Sequence, residues 1–154
     1  RYGDEPDAAA IARTLVALAA RGRSPKTTAA LASAVCVAKG LGAGRFVKKN
    51  ASARHPAART FQALRILVNS EREALSRLLE GLPSLMLPAG RAALLTFHSG
   101  EEALVQAILS EQAALGLWAA PPAQPRKASP EEVRENPRSR SARLWRVVRS
   151  GVLR

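Results

Sequence analysis

The stretch Ala53-Arg54-His55-Pro56-Ala57-Ala58-Arg59-Thr60-Phe61-Gln62-Ala63-Leu64-Arg65-Ile66-Leu67-Val68-Asn69 limits what this chain can fold into more than any other. At about 100° per residue, with Arg59 at zero, Leu67, Leu64, Ala57, Val68 and Phe61 fall roughly between 80° and 200°, an arc that a helix buries. His55, Gln62, Asn69 and Arg65 fall roughly between 240° and 320°, with only Ile66 out of place among them. One face therefore demands a core, and the other carries hydrogen-bonding groups and fixed positive charge. Pro56 suits a first helical position, where its missing N–H has no helical partner to lose and its φ is already helical. The helix is expected to start near His55.

Charge sets the next limit. The chain has 24 Lys and Arg against 12 Asp and Glu in 154 residues, a net charge of +12. The balance is uneven, because from Ala8 to Ser70 there are eleven basic residues and no acidic one. Polyanions are the expected partners, although a basic run on its own fits a solvated face equally well. The length suits about one domain, which on folding buries roughly 68–70% of its unfolded surface. Cys36 is the only cysteine, which excludes an internal disulfide and any Cys-rich zinc site; set between Val35 and Val37, it reads as a small core residue. No signal peptide and no run of ~18 apolar residues is present. The expected protein is soluble, in a reducing compartment, and not bound to a membrane.

Along the chain, Asp4, Glu5 and Asp7 bring negative charge to a helix N-terminus, Ala8, Ile11, Ala12, Leu15 and Leu18 follow at helical spacing, and Arg21-Gly22 ends the helix. A second helix opens at Ser24-Pro25-Lys26-Thr27-Thr28, buries Leu31, Ala34, Val35 and Ala38, and stops at Gly40. Leu41 to Ala53, with Lys48, Lys49 and the aromatic Phe46, reads as a basic loop. After Asn69-Ser70 comes an amphipathic helix from Glu71 to Gly81, followed by Pro83 and Pro88 around Leu85-Met86-Leu87. The apolar run Ala92 to Phe97 suits a buried parallel strand. Ser99 and Glu102 have capping-box spacing, and the helix they open carries Leu104, Ala107, Ile108 and Leu115 before Gly116 closes it. Pro121 to Ser129 is a Pro-rich loop, Ser129-Pro130-Glu131-Glu132 a capped turn, and Ser141 to Arg149 a terminal or edge strand. The helix-strand-helix unit points to a doubly wound α/β sheet, whose ligands bind at the carboxyl ends of strands. That places the candidate site at Phe97-His98-Ser99. Ser99 has no evident base partner, which argues against a nucleophilic triad.

Four segments, in order, carry a family resemblance. His55-Pro56-Ala57-Ala58-Arg59-Thr60-Phe61-Gln62-Ala63-Leu64-Arg65-Ile66 with Val68-Asn69 resembles the Arg/His-Pro-x-x-Arg-Thr-Phe-Gln-Ala-Leu-Arg-Ile-x-Val-Asn segment of the MraW/RsmH-type methyltransferases. Phe97-His98-Ser99-Gly100-Glu101-Glu102 resembles their Phe-His-Ser-Leu-Glu-Asp turn. Asn136 to Leu144 resembles their closing Asn-Pro-Arg-x-Arg-Ser-Ala-Lys-Leu strand, and Tyr2-Gly3-Asp4-Glu5 their Tyr-Gly-Glu-Glu. The departures are Gly100 for leucine, Glu102 for aspartate, Ala103 for arginine, and Trp145 interrupting the last strand.

The resemblance implies an S-adenosylmethionine-dependent methyltransferase acting on the exocyclic N4 of a cytidine in small-subunit ribosomal RNA, located in the cytoplasm or, alternatively, in a mitochondrion or chloroplast. It implies an α/β fold, the C-terminal half of a Rossmann-like methyltransferase domain over residues 54–154, preceded by an inserted helical subdomain over residues 1–53. It makes Arg54, Arg59, Gln62, Arg65, Phe97, His98 and Ser99 the RNA-binding residues. It also makes His98 the catalytic candidate beside a flipped base, against the alternative of a histidine that only ties its turn together. The family's cofactor glycine motif and its Asp-Leu-Gly-Val-Ser-Ser segment lie before the Tyr-Gly-Glu-Glu position, and Gly40, Gly42 and Gly44 are spaced wrongly for such a loop. The expectation is a chain with no cofactor-binding residues of its own, inactive without an N-terminal half of the same enzyme. The rival expectation is a non-catalytic basic RNA-binding or ribosome-associated module derived from that family. A helical structural protein with a coincidental basic bias stands third.

Overall fold

The computed structural model describes residues 2–42, 55–120 and 124–151. They form two compact units, Arg1–Asn69 and Ser70–Arg154.

The first unit holds three helices, α1 (Ala8–Ala20), α2 (Thr28–Ala38) and α3 (Ala58–Val68). Thr27 caps α2 by accepting a hydrogen bond from the Ala30 N–H at 3.1 Å, and His55 Nδ1 accepts from the Ala57 N–H just before α3. α1 and α2 end where glycine enters the left-handed region: Arg23 N–H reaches back to the Leu18 carbonyl, and Leu41 N–H to that of Cys36, each at 2.9 Å. Gly22 and Gly40, at φ +67° and +72°, allow this closure, which satisfies carbonyls that a helix end otherwise leaves bare. Ile11, Val35 and Ala57 form the core, with Leu15, Leu31, Ala32, Ala38 and Phe61 packed against it. Cys36 is buried beside Val35 and unpaired.

Here α3 departs from expectation twice. It belongs to the compact unit of α1 and α2, so the division falls after Asn69 and not after Ala53. Its buried side is also rotated, with Thr60 and Ile66 buried while Leu64, Leu67 and Val68 are 36%, 56% and 79% exposed. Hydrophobic periodicity places an apolar arc but does not say which part of it meets another element. The neighbours decide that.

In the second unit α4 (Glu71–Leu85) and α5 (Ser99–Ala114) pack together over a three-stranded sheet of β1 (Arg91–Thr96), β2 (Arg126–Lys127) and β3 (Arg143–Val148). The strand order is β1-β3-β2, and both pairings are antiparallel. The expected parallel strand is therefore antiparallel to β3, and the expected edge strand is the central one. The unbroken apolar run suggested burial on both faces, but alternate residues of β1 are exposed. Leu79, Val105, Leu109, Trp118, Trp145 and Val147 form the core.

α4 also runs past its expected end, through Pro83. A helical proline cannot donate to the carbonyl four residues earlier, here that of Leu79. The buried Gln112 side chain donates Nε2–H to that oxygen at 2.8 Å and accepts the Trp118 indole N–H on its other end at 3.1 Å. With the lost helical bond replaced, the helix continues. A short helix α6 (Pro130–Glu135) starts at Ser129, whose hydroxyl accepts from the Glu132 N–H. A 3₁₀ turn (Pro137–Ser141) then leads into β3.

Candidate functional site

In the first unit the Tyr2-Gly3-Asp4-Glu5 turn is seated on α3. Gly3 has φ +72°, and a Cβ there would lie 2.5 Å from the Arg59 carbonyl oxygen and 3.2 Å from Ala63 Cβ, so only glycine allows this approach. Arg59 Nη1 donates to the Asp4 carbonyl at 3.0 Å, and Thr60 Oγ1 to Glu5 Oε2 at 3.5 Å. The Glu5 carboxylate, 4% exposed, receives Lys39 Nζ at 2.7 Å and the Asp7 N–H at 3.2 Å. Lys39 also reaches the Pro56 carbonyl and Asp7 Oδ2. Burial alone raises a carboxyl pKa, but the hydrogen bonds from Lys39 and Asp7 and the charges of Lys39 and Arg59 outweigh it and hold Glu5 below its ordinary value. For Lys39, burial lowers the pKa and its two carboxylate partners raise it further, so it stands above its ordinary value.

The remaining polar residues of α3 lie outward. Arg59 and Arg65 are exposed and Gln62 is half-buried, while Arg54, Lys48 and Lys49 fall outside the described residues. Arg59 therefore has two relations at once, one guanidinium nitrogen on the Asp4 carbonyl and the rest of its charge at the surface.

In the second unit β1 ends at Thr96, and Phe97, His98 and Ser99 form the turn into α5. Phe97 is 50% exposed and Ser99 is exposed as the first helical residue. The helix cap is His98, one residue before the expected Ser99: its Nδ1 accepts from the Glu101 N–H at 3.3 Å. Glu101 answers with its carboxylate, Oε2 accepting the Phe97 N–H at 2.8 Å and Oε1 lying 3.2 Å from His98 Nε2. His98 Nε2 is buried, and among the described residues it has no hydrogen-bond partner. Glu102 points instead to Arg143 Nε, at 3.6 Å. Among the described residues no group of His, Cys, Asp and Glu could hold a metal ion.

The α3 residues and the Phe97-His98-Ser99 turn thus lie in separate compact units. Sequence reasoning missed Lys39, which lies 34 residues from Glu5 with no local sign of the pairing. It also missed Glu101, whose signal was present: a carboxylate three residues after His98 is capping-box spacing shifted by one.

The family model described as the MraW methylase family matches residues 1–150. The chain belongs to that family. Among curated relatives it is 38% identical over 148 residues to a protein of Koribacter versatilis, with 96% of this chain and 44% of the relative covered. It is 43% identical over 162 residues to one of Anaeromyxobacter sp. strain K, with 95% and 50% covered. A protein of Halorhodospira halophila is 42% identical over 158 residues, with 94% and 46% covered. Each carries the name ribosomal RNA small subunit methyltransferase H. The chain thus spans about half the length of the curated relatives it matches. Two of the segments that carry the family resemblance, Tyr2-Gly3-Asp4-Glu5 and Arg59-Thr60-Phe61-Gln62-Ala63, are contact partners in this MraW family member. No helix among the described residues is long and apolar enough to cross a membrane.

Proposed function

We propose that this chain is the C-terminal portion of an S-adenosylmethionine-dependent methyltransferase that acts on cytidine N4 in small-subunit ribosomal RNA, working in the cytoplasm. The observation that carries the reading is the match to the MraW methylase family over residues 1–150, together with relatives named as ribosomal RNA small subunit methyltransferases that are about twice as long. The three-stranded sheet then belongs to a larger, Rossmann-like sheet, with the helices of the first unit as its inserted subdomain.

The described residues do not suit the cofactor. β1 passes straight into His98-Ser99-Gly100, a Cβ at Gly100 would touch the His98 ring at 3.4 Å, and no glycine-rich loop follows a described strand. Cofactor binding is assigned to the preceding half of the enzyme. The residues here bind and position RNA: Arg59 and Arg65, with Arg54, meet phosphates, and exposed Phe97 offers a ring on which an unstacked base can lie. His98 and Glu101 brace that turn, the imidazole Nδ1 accepting the Glu101 N–H and the carboxylate accepting the Phe97 N–H. Ser99 and Gln62 supply further polar contacts. Methyl transfer depends on holding donor and acceptor in line, so half of such a site contributes little by itself.

The test mixes the purified chain with S-adenosylmethionine and small ribosomal subunits, alone and with the N-terminal half of a relative such as the Anaeromyxobacter enzyme. Methylated cytidine is expected only in the mixture. No methylation in either case, with RNA binding intact, would favour the non-catalytic module. Micromolar cofactor affinity in the chain alone, about −8 kcal/mol, would show that the cofactor site is misplaced.

A further inference from the structure

In the reading above Phe97 takes the base of a nucleotide and leaves its phosphates unmatched, and the arginines of α3 belong to the other compact unit. The second unit has cations of its own beside the same turn. β1 and β3 are antiparallel, with Thr96 opposite Arg143. The residues that enter β3 therefore stand next to the carboxyl end of β1, the end at which an α/β sheet takes its ligands. Those residues are the 3₁₀ turn Pro137–Ser141. From Asn136 to Arg149 the chain has five arginines and no acidic residue. In a larger sheet further strands add at the free edge of β1, and β1 stands between that edge and the turn.

The turn is fixed at both ends. Asn136 Oδ1 accepts the Arg138 N–H at 3.2 Å, and the buried Ser139 donates its hydroxyl to the Asn136 carbonyl at 2.8 Å. At the other end Arg143 Nη1 donates to the Ala142 carbonyl at 2.9 Å and to that of Arg140 at 3.3 Å, while its Nε faces Glu102 in the first turn of α5. The turn is thereby tied to the helix that His98 caps. A 3₁₀ helix has about three residues per turn, so with Ser139 inward Arg138 and Arg140 take the two outward faces, and both are exposed. Neither forms an ion pair among the described residues. The carboxylates nearby are engaged elsewhere: Glu102 by Arg143, Glu131 by Arg134 at 3.1 Å, and Glu132 in a cleft that it shares with Arg126 and Lys127. Glu135, exposed at the end of α6, offsets at most one of the two charges. The turn is a rigid mount for two guanidinium groups, and such groups match phosphate oxygens.

We propose that Arg138 and Arg140 form a phosphate clamp, which holds the RNA backbone next to the nucleotide whose base lies on Phe97. The inference rests on the RNA-methyltransferase reading above and adds two binding residues to the site at the carboxyl end of β1. Arg140 is three residues from Arg143 and so at most about 11 Å from it along the chain, which a strand of a few nucleotides covers. Phosphate contacts fix register and orientation and carry no sequence information, so the clamp holds strands of any sequence alike.

The test measures binding of fluorescein-labelled single-stranded oligoribonucleotides to the full chain across a potassium chloride series. Each phosphate contact to a single strand contributes roughly 0.7 to the slope of log affinity against log salt. Arg138→Ala with Arg140→Ala is expected to lower the magnitude of that slope by about 1.4, equally for two oligonucleotides of unrelated sequence. Arg138→Lys with Arg140→Lys, which keeps both charges, is expected to retain the parent's slope. Neither side chain bonds to another described residue, so the melting temperature of the double alanine variant is expected to match the parent's. Photo-crosslinking of a 4-thiouridine oligonucleotide to the unaltered chain is expected to label the peptide spanning residues 136–143 as well as the one holding Phe97, independently of how any variant folds. If the double alanine variant keeps the parent's slope while Arg59 and Arg65 variants lose theirs, the clamp is rejected and the proposed function stands. Crosslinks that spare residues 136–143 reject it as well. If the unaltered chain shows no salt-dependent RNA binding, both fall.

Discussion

Glu5 shows how a residue that looks like part of a helix-start signal becomes a structural pivot. Its carboxylate is buried, and Lys39, Asp7 and Thr60 converge on it, tying the N-terminal turn to both α2 and α3. Because its folded pKa is depressed, its contribution to stability is fully present above the ordinary carboxyl value of 4.5 and is lost as pH falls through the lower folded value. Lys39 behaves oppositely: its raised pKa gives stability that is present below 10.5 and lost as pH rises through the higher folded value. The pair therefore stabilises the first unit across the whole interval between. Glu5→Gln leaves Lys39 charged and poorly matched, at an expected cost of about 1–3 kcal/mol at pH 7. It should also flatten the acid limb of the stability profile below pH ~4.5. Urea unfolding followed by circular dichroism at pH 7 and in the acid range measures both, and a variant with the parent's stability and acid dependence would show that the network contributes nothing.

At the scale of the element, α3 holds Arg59 in two relations at once. Arg59 holds the Asp4 carbonyl and also stands on the exposed side with Arg65. If the exposed side meets RNA, Arg54→Ala, Arg59→Ala and Arg65→Ala together should lower the salt slope of RNA binding by about 2, while His98→Ala leaves it alone. If Arg59 serves only to hold the N-terminal turn, the triple variant should lose thermal stability and its folded fraction should bind with the parent's slope. Fluorescence anisotropy across a salt series, paired with thermal melts, separates the two. An unchanged slope would withdraw the RNA-facing assignment of this helix.

At the scale of the whole molecule, the described sheet has an open edge. Among the described residues β1 pairs only with β3, and the order β1-β3-β2 leaves the other edge of β1 without a strand. Unpaired edges recruit strands from other chains, and about half the length of the relatives lies outside the matched region. The isolated chain is expected to dimerise or aggregate as concentration rises, and an N-terminal half of the same family should suppress this. Sedimentation velocity over a concentration series is the measurement. A monodisperse monomer with sharp cooperative unfolding would mean that the edge is protected.

Some of this was settled locally and is legible in the residues alone. Gly22 and Gly40 end their helices, Thr27 and Ser129 cap theirs, and the family segments announce the family, because such features depend on neighbours a few positions away. Other features depend on distant partners. Pro83 is a local stop signal that α4 passes because Gln112 supplies the missing bond to the Leu79 carbonyl. The apolar arc of α3 marks a helix, yet the structure buries Ile66 from outside it and exposes Leu64, Leu67 and Val68 within it, because the packing neighbours choose the buried side. The run Ala92 to Phe97 announced a strand, whereas its antiparallel pairing depends on β3, which lies nearly fifty positions further along, and Trp145 locks that pairing by donating its indole N–H to the buried Thr96 hydroxyl. Caps, stops and periodicity follow from short-range hydrogen bonding and chain geometry, which the sequence determines by itself. Strand direction, the choice of buried face and the pairing of Glu5 with Lys39 were decided only by the tertiary structure, because their free energy comes from burying and pairing groups that meet only after the chain has folded.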